Sequence, residues 1–263
     1  MQTTSRDMQT LCAIAEAAGR EIMAVYASDF AAWTKADASP LTEADLRADA
    51  VIRKGLEQAY PGVFILSEES VSAGAGGAET FFLVDPLDGT KEFLKRNDEF
   101  TVNIALVCGG RPVAGVVLAP ALGELFYGAQ GLGAWQRTAA GGAVALKTSS
   151  PAAGAALRVI GSRSHGGDAL AQWLAKLQVE HTFVAAGSSL KFCRIAQGLA
   201  DIYPRHGPTC QWDTAAAQAV LEQAGGAVLD SKGKPLRYGL DRPMLNPHFI
   251  AVASAGMDFP SLD

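Results

Sequence analysis

Asp85 and Asp88 stand three positions apart at the end of the apolar run Phe81-Phe82-Leu83-Val84, in the stretch FFLVDPLDGT. Two carboxylates delivered by a buried strand into one turn repel each other, and burying them is costly unless a cation resolves the charge. Other acids sit where elements are expected to end: Glu68 and Glu69 after VFILS, and Asp213 in QWDTAAAQAV at a helix start. Such ends are where layered α/β proteins gather functional groups. The donors are all oxygens with no His or Cys nearby, which suits Mg²⁺ and not zinc. Two ions about 4 Å apart, bridged by a carboxylate, would polarise a phosphoryl oxygen and the leaving group and lower the pKa of a nucleophilic water. Gly89 and Thr90 add a second component. Backbone N–H groups at the start of a helix after a glycine form a phosphate cradle, and the Thr90 hydroxyl can orient the attacking water. Each residue alone also has a plainer role: Asp88-Gly89 as a turn, Asp213 and Thr90 as helix caps, Glu68-Glu69 as a solvated edge.

The elements that must position these groups are legible in outline. Met8, Leu11, Cys12, Ala15, Ala18, Ile22 and Val25 recur at helical spacing over residues 4 to 27, behind Thr4 and Asp7 as cap. A second helix is predicted from near Thr42 to Pro61-Gly62. Strand VFILS follows, then a glycine-rich loop, VSAGAGGAE, with the composition of a mobile flap. EFTVNIALVCGGRPVAGVVLAPALGELFYGAQ reads as an antiparallel meander turning at Gly109-Gly110. Past Pro151, strands LRVIGS, HTFVAAG, DIYPR, AVLD and HFIAVAS alternate with helices DALAQWLAKLQ, SLKFCRIAQGLA and TAAAQAVLEQAGG, apart from the last two strands, which follow in succession. The pattern predicts an α+β first half and an α/β second half. The seam is expected near residues 140–155, dividing the chain into subdomains 1–150 and 151–263, with most of the candidate metal ligands in the first and Asp213 in the second.

At 263 residues, 49% hydrophobic and 19% charged, the chain can build a substantial core. No segment approaches the roughly 18 apolar residues of a membrane span. Cys12, Cys108, Cys193 and Cys210 lack paired zinc spacing and read as free thiols of a reducing, cytoplasmic compartment. A net charge of −5 argues against a nucleic-acid polymer as partner, while leaving room for a small anion held by local cations.

The ordered motifs SEES, DPLDGT and WDTAA resemble those of the inositol monophosphatase superfamily of Mg²⁺-dependent, lithium-sensitive phosphatases, over essentially the whole chain. KEFLKRNDEFTVNIALV, GSRSH, GSSLKFC, IYPRHGPT and LNPHF are most similar to its bacterial 3'(2'),5'-bisphosphate nucleotidase branch. That resemblance implies the αβαβα sandwich of the sugar phosphatases and hydrolysis of the 3'-phosphate of adenosine 3',5'-bisphosphate or its sulfated relative. It also implies a role in sulfur metabolism. By the resemblance, Glu68, Asp85 and the Leu87 carbonyl hold one Mg²⁺; Asp85, Asp88 and Asp213 hold a second; a third, weaker ion lies near Glu68. Thr90 corresponds to the residue that positions the water, and Asp45, in SPLTEADLRAD, to the acid that supports that threonine as general base. The implied mechanism is direct in-line attack by activated water with no phosphoenzyme. Glu68, Leu87, Asp88, Gly89, Thr90 and Asp213 also border the substrate, while Ser188, Ser189, Lys191, Arg205 and His206 fall where the sugar and phosphates are contacted. Ser162, Arg163 and His165 are further anion candidates, and Lys35 lies in a segment matching a loop that closes over the metals. A monomer or weak homodimer, in the cytoplasm or resting against the inner membrane face, is also implied.

Three alternatives stay open at this level. Inositol monophosphate or fructose 1,6-bisphosphate could be the substrate, although Lys91-Glu92-Phe93 departs from the asparagine-phenylalanine pair common after DPIDGT in inositol phosphatases. A haloacid-dehalogenase-type aspartyl phosphatase also ends its motif in Asp-Gly-Thr, but with one residue between its aspartates where this chain has two. A non-catalytic Ca²⁺ or Mg²⁺ module would need neither Thr90 nor the cradle.

Overall fold

The computed structural model describes residues 3–34, 40–70, 77–138, 140–149, 154–162 and 167–262. Helices α1 (Ser5–Tyr26) and α2 (Glu43–Ala59) begin behind Thr4 and Thr42, each closing a capping box with the aspartate three residues on, Asp7 or Asp45. Between them β1 (Ala32–Thr34) and β2 (Pro40–Thr42) pair as a short antiparallel ribbon. A seven-stranded sheet then runs in chain order through β3 (Phe64–Ser67), β4 (Thr80–Asp88), β5 (Thr101–Cys108), β6 (Arg111–Ala119), β7 (Glu124–Ala129), β8 (Gly133–Thr138) and β9 (Ala143–Ala145). Only β3 and β4 run parallel; the rest form the meander, with Gly109 and Gly110 at positive φ in its first tight turn. The short helix α3 (Thr90–Leu94) links β4 to β5.

The second half builds a five-stranded mixed sheet in the order β11-β10-β12-β14-β13. Its strands are β10 (Leu157–Ser162), β11 (His181–Ala186), β12 (Ile202–Arg205), β13 (Ala227–Asp230) and β14 (Phe249–Val252), and its helices are α4 (Gly167–Ala175), α5 (Leu190–Ala196) and α6 (Gln211–Gln223). The change of sheet falls between β9 and β10.

Strand alternation sorts the core into layers. Phe82, Val84, Ile104 and Val116 face α1 and α2, while Phe81, Leu83, Ala105 and Val117 face α5 and α6. On the second sheet Tyr203, Phe249 and Ala251 face the same two helices, whereas Ile202, Ile250 and Val252 face Trp173 of α4. The result is a layered sandwich of helices, sheet, helices, sheet and helix. Helix α6 lies in the middle and is buried on all sides from Thr214 to Leu221. Its close seat needs Gly115 on β6: a Cβ there would stand 2.2 Å from the Ala216 carbonyl oxygen.

One local feature differs from the sequence expectation. Strand β4 does not stop at Val84 before a turn but continues to Asp88. Asp85 pairs with Asn103 and Asp88 with Thr101, so β4 has one extra residue against β5, as in a β-bulge. Pro86, which has no N–H to donate to a ladder, lies in the bulged segment.

Candidate active site

The bulge makes the site. Residues three apart in a regular strand point to opposite faces, but the extra residue restores Asp85 and Asp88 to the same side. Both line one cleft of about 220 Å³, together with Glu68, Leu87, Gly89, Thr90, Ser188, Lys191, Arg205 and Asp213. Glu68 follows β3 and is anchored by its N–H to the Val84 carbonyl at 3.1 Å. Asp213 enters from the first turn of α6, where its Oδ2 accepts the Cys210 N–H at 2.8 Å. Asp85 Oδ1 accepts the Leu87 N–H at 3.0 Å. One carboxylate oxygen from each of Glu68, Asp85 and Asp213 lies within 4.8 Å of the others. That separation is near the roughly 4 Å span of two oxygens on opposite sides of one Mg²⁺.

The electrostatics are those of a cluster built for cations. Burial pushes the Asp85 carboxyl well above its usual range, and the charges of Glu68, Asp88, Asp213 and Asp45 push it further. Asp213 is raised by burial and by Asp88, against the opposing Cys210 N–H. Asp88 is raised by burial to about 6, with Lys191 and the Ser189 N–H pulling it back. Such acids stay ionised together only when positive charge enters among them, and an all-oxygen donor set fits a hard divalent ion.

Thr90 opens α3 behind Gly89, whose φ of 90° is a left-handed conformation suited to glycine. The Thr90 hydroxyl reaches the Leu87 carbonyl at 3.3 Å and Asp45 Oδ1 at 3.5 Å. Asp45 is not the exposed helical aspartate that its setting suggests by default. It is 2% exposed, because the capping box turns it inward, and its Oδ2 accepts both the N–H and the hydroxyl of Thr42 at 2.7 Å.

On the opposite wall, Ser188 adopts a left-handed φ of 45°, and its buried Oγ has no hydrogen-bond partner among the described residues. Lys191 donates to the Ser188 carbonyl and lies 5.3 Å from the Tyr203 ring centre. Burial lowers its pKa to about 8, with Asp88 opposing. Arg205 is tied to the Gly207 and Pro208 carbonyls. Ser162 also lines the cleft, whereas His206 turns to His248, ring centres 5.8 Å apart. Lys35, Arg163, His165 and residues 71–76 of the flap segment lie outside the described residues.

Sequence reasoning missed what supports Asp88. Ser189 does not present its hydroxyl to the cleft; it bonds Asn103 and Thr101 of β5. Two polar residues at alternate positions in the otherwise apolar TVNIALV were the available signal.

The model of the inositol monophosphatase family matches residues 4–255. The chain is 44% identical over 246 residues to the 3'(2'),5'-bisphosphate nucleotidase CysQ of Salmonella typhimurium, covering 92% of this chain and 98% of that protein. Its fold is similar to crystalline CysQ from Bacteroides thetaiotaomicron, described as a bacterial member of the inositol monophosphatase family. The TM-score is 0.83 at 35% identity, over 94% of this chain and 97% of that one. It is also similar to an inositol monophosphatase from Anabaena, with a TM-score of 0.74 at 27% identity, over 94% and 90% of the two chains. Among the described residues, no helix is long and apolar enough to cross a membrane.

Proposed function

The chain belongs to the inositol monophosphatase family, and on that basis we propose that it is a Mg²⁺-dependent phosphomonoesterase of the bisphosphate nucleotidase branch. Its substrate is adenosine 3',5'-bisphosphate, with the 5'-phosphosulfate relative as a second one; loss of the 3'-phosphate from the bisphosphate gives AMP. The observation that carries this reading is the convergence of Glu68, Asp85, Asp88 and Asp213 on one cleft with Thr90. Identity of 44% to a bisphosphate nucleotidase, against 27% to an inositol monophosphatase, favours the nucleotide over inositol phosphate.

Glu68, Asp85 and the Leu87 carbonyl would hold one Mg²⁺, and Asp85, Asp88 and Asp213 another, with a third near Glu68. When bound, the ions supply charge to the developing phosphoryl transition state and acidify the attacking water. Thr90 orients that water: with its own proton donated toward Asp45, its oxygen accepts a hydrogen bond from the nucleophile. Asp45, held in place by Thr42, receives the proton through Thr90. Ser188, Lys191 and Arg205 face the ester from the second half of the chain, where cations suit phosphate. The turn before Thr90 requires Gly89, since its φ of 90° is left-handed and a Cβ there would lie 3.2 Å from the Glu99 carbonyl oxygen.

Phosphate release from adenosine 3',5'-bisphosphate, its phosphosulfate relative, inositol 1-phosphate and fructose 1,6-bisphosphate tests the reading, with and without Mg²⁺ and with added lithium. Mg²⁺-dependent, lithium-inhibited turnover greatest on the nucleotides is expected. Preference for inositol phosphate would overturn the substrate assignment, and a phosphorylated Asp85 would overturn direct attack.

A further inference from the structure

We propose that Ser189, Thr101 and Asn103 are positioning residues that fix the Asp88 carboxylate from both halves of the chain at once, so that affinity for the divalent ion depends on a buried polar triad in the cleft wall. The proposal rests on the reading of Asp88 as a Mg²⁺ ligand given above.

The Ser189 N–H donates to Asp88 Oδ2 at 2.6 Å, and Thr101 Oγ1 and Asn103 Nδ2 approach the same oxygen at 3.5 Å. The Ser189 hydroxyl donates to Asn103 Oδ1 at 2.8 Å and lies 2.8 Å from Thr101 Oγ1. Thr101, Asn103 and Ser189 are all at most 2% exposed. Thr101 and Asn103 belong to β5 of the first sheet, whereas Ser189 precedes α5 in the second half, 88 and 86 residues away.

A buried polar triad is not needed for stability, because apolar side chains of the same shape would fill the space at little or no net cost. What the triad achieves is alignment. It anchors the Ser188-Ser189 turn to β5, which holds the Ser189 N–H at a short, charge-assisted distance from Asp88. One Asp88 oxygen is thereby engaged by the protein itself, which sets the rotamer the residue brings to the cation. Partners of this kind behind metal ligands are worth about 10- to 100-fold in metal affinity. The neighbouring residue on the same turn is Ser188, with its left-handed backbone and unpartnered Oγ. The triad therefore ties the substrate wall to the metal wall.

The test is calorimetric titration of metal-free protein with Mg²⁺ alone, beside the thermal midpoint of each variant without metal. Ser189→Ala and Thr101→Val, which remove hydroxyls while roughly keeping shape, should each weaken Mg²⁺ binding about 10- to 100-fold. Thr101→Ser, which keeps the hydroxyl, should bind nearly as wild type, and the double variant Ser189→Ala/Thr101→Val should be no weaker than the worse single one. Variants that lower the thermal midpoint but bind Mg²⁺ within twofold of wild type would overturn the proposal, as would independent, additive losses. Should Ser189→Ala fail to fold, the Thr101 pair decides alone. Wild-type protein that binds no Mg²⁺ would instead refute the reading of the acidic cluster.

Discussion

Gly115 is the position where one added methyl group should disturb both stability and catalysis. In Gly115→Ala the new Cβ would lie 2.2 Å from the Ala216 carbonyl oxygen and 2.9 Å from Ala219 Cβ, so the first contact must lengthen by about 0.8 Å merely to reach 3.0 Å. Backbone of a helix enclosed on all sides cannot yield as a flexible side chain would, so α6 itself has to move. Overpacking of this kind costs about 1–3 kcal/mol. At roughly 2–4 °C per kcal/mol for a chain of this size, the melting temperature should fall by about 2–12 °C. Asp213 lies three residues before Ala216 on the same helix, so the same movement carries a cluster carboxylate away from Asp85. A misplacement near 1 Å is worth about 100-fold in rate. Thermal unfolding and phosphate release under saturating Mg²⁺ read the two consequences separately. A midpoint within a degree of wild type would refute the packing argument, and normal turnover of a destabilised variant would refute the link between this contact and Asp213.

Three further outcomes are expected. Asp45→Asn should keep the fold and lower turnover by about 10²- to 10⁴-fold, measured as initial rates of phosphate release; a loss below threefold would remove Asp45 from the proton path. In metal-free protein, Asp85, Asp88 and Asp213 have pKa values raised on folding, that of Asp88 from 3.8 to about 6. A carboxyl of that kind favours the folded state fully below its unfolded pKa, and the advantage disappears as pH rises through the folded value. Melting temperature without metal should therefore decline between about pH 4 and pH 7 as far as this cluster is concerned, and saturating Mg²⁺ should flatten the slope; identical slopes with and without the ion would count against the cluster. Asp201, fully buried, accepts the Arg158 N–H at 2.8 Å and its Nε at 3.0 Å, joining β10 to the start of β12. Asp201→Ala should cost about 2–4 kcal/mol by urea unfolding, somewhat less than the roughly 3–5 kcal/mol of a broken, fully buried pair because Arg158 keeps access to water. An unchanged urea midpoint would contradict it.

Much of the layering was legible because both periodicities are clean. Met8 through Val25 repeat at helical spacing, and Phe81 to Val84 are apolar on both faces, as a strand covered by helices on each side must be. The strands β8 and β9 were not seen in GAWQRT and AVA, since their mixed composition and short length carry little alternation. Helix α6 was found through its alanines and its acidic start, but central burial gives it no polar face to reveal where it packs. At the site, residue types and order named Glu68, Asp85, Asp88 and Asp213, which line the cleft with Thr90, but not Glu92, which lines it as well. The burial of Asp45 was hidden, because a capping box looks the same on an exposed helix. The Ser189–Asn103–Thr101 triad was hidden for a different reason: its members meet only after two sheets pack, and no local pattern encodes a contact across 86 residues.

The single surplus residue in β4 sets stability against catalysis at one spot. Deleting Pro86 would leave Asp85 and the former Asp88 two positions apart, the spacing at which a strand can pair without interruption. Such a shortened chain could pair β4 with β5 without a bulge and would still hold the two acids on one face, while losing the bulged backbone between them that carries the Leu87 carbonyl and the Leu87 N–H bonded to Asp85. The irregularity is therefore a length constraint on the motif. Drift in this segment can exchange side chains far more readily than it can add or remove one.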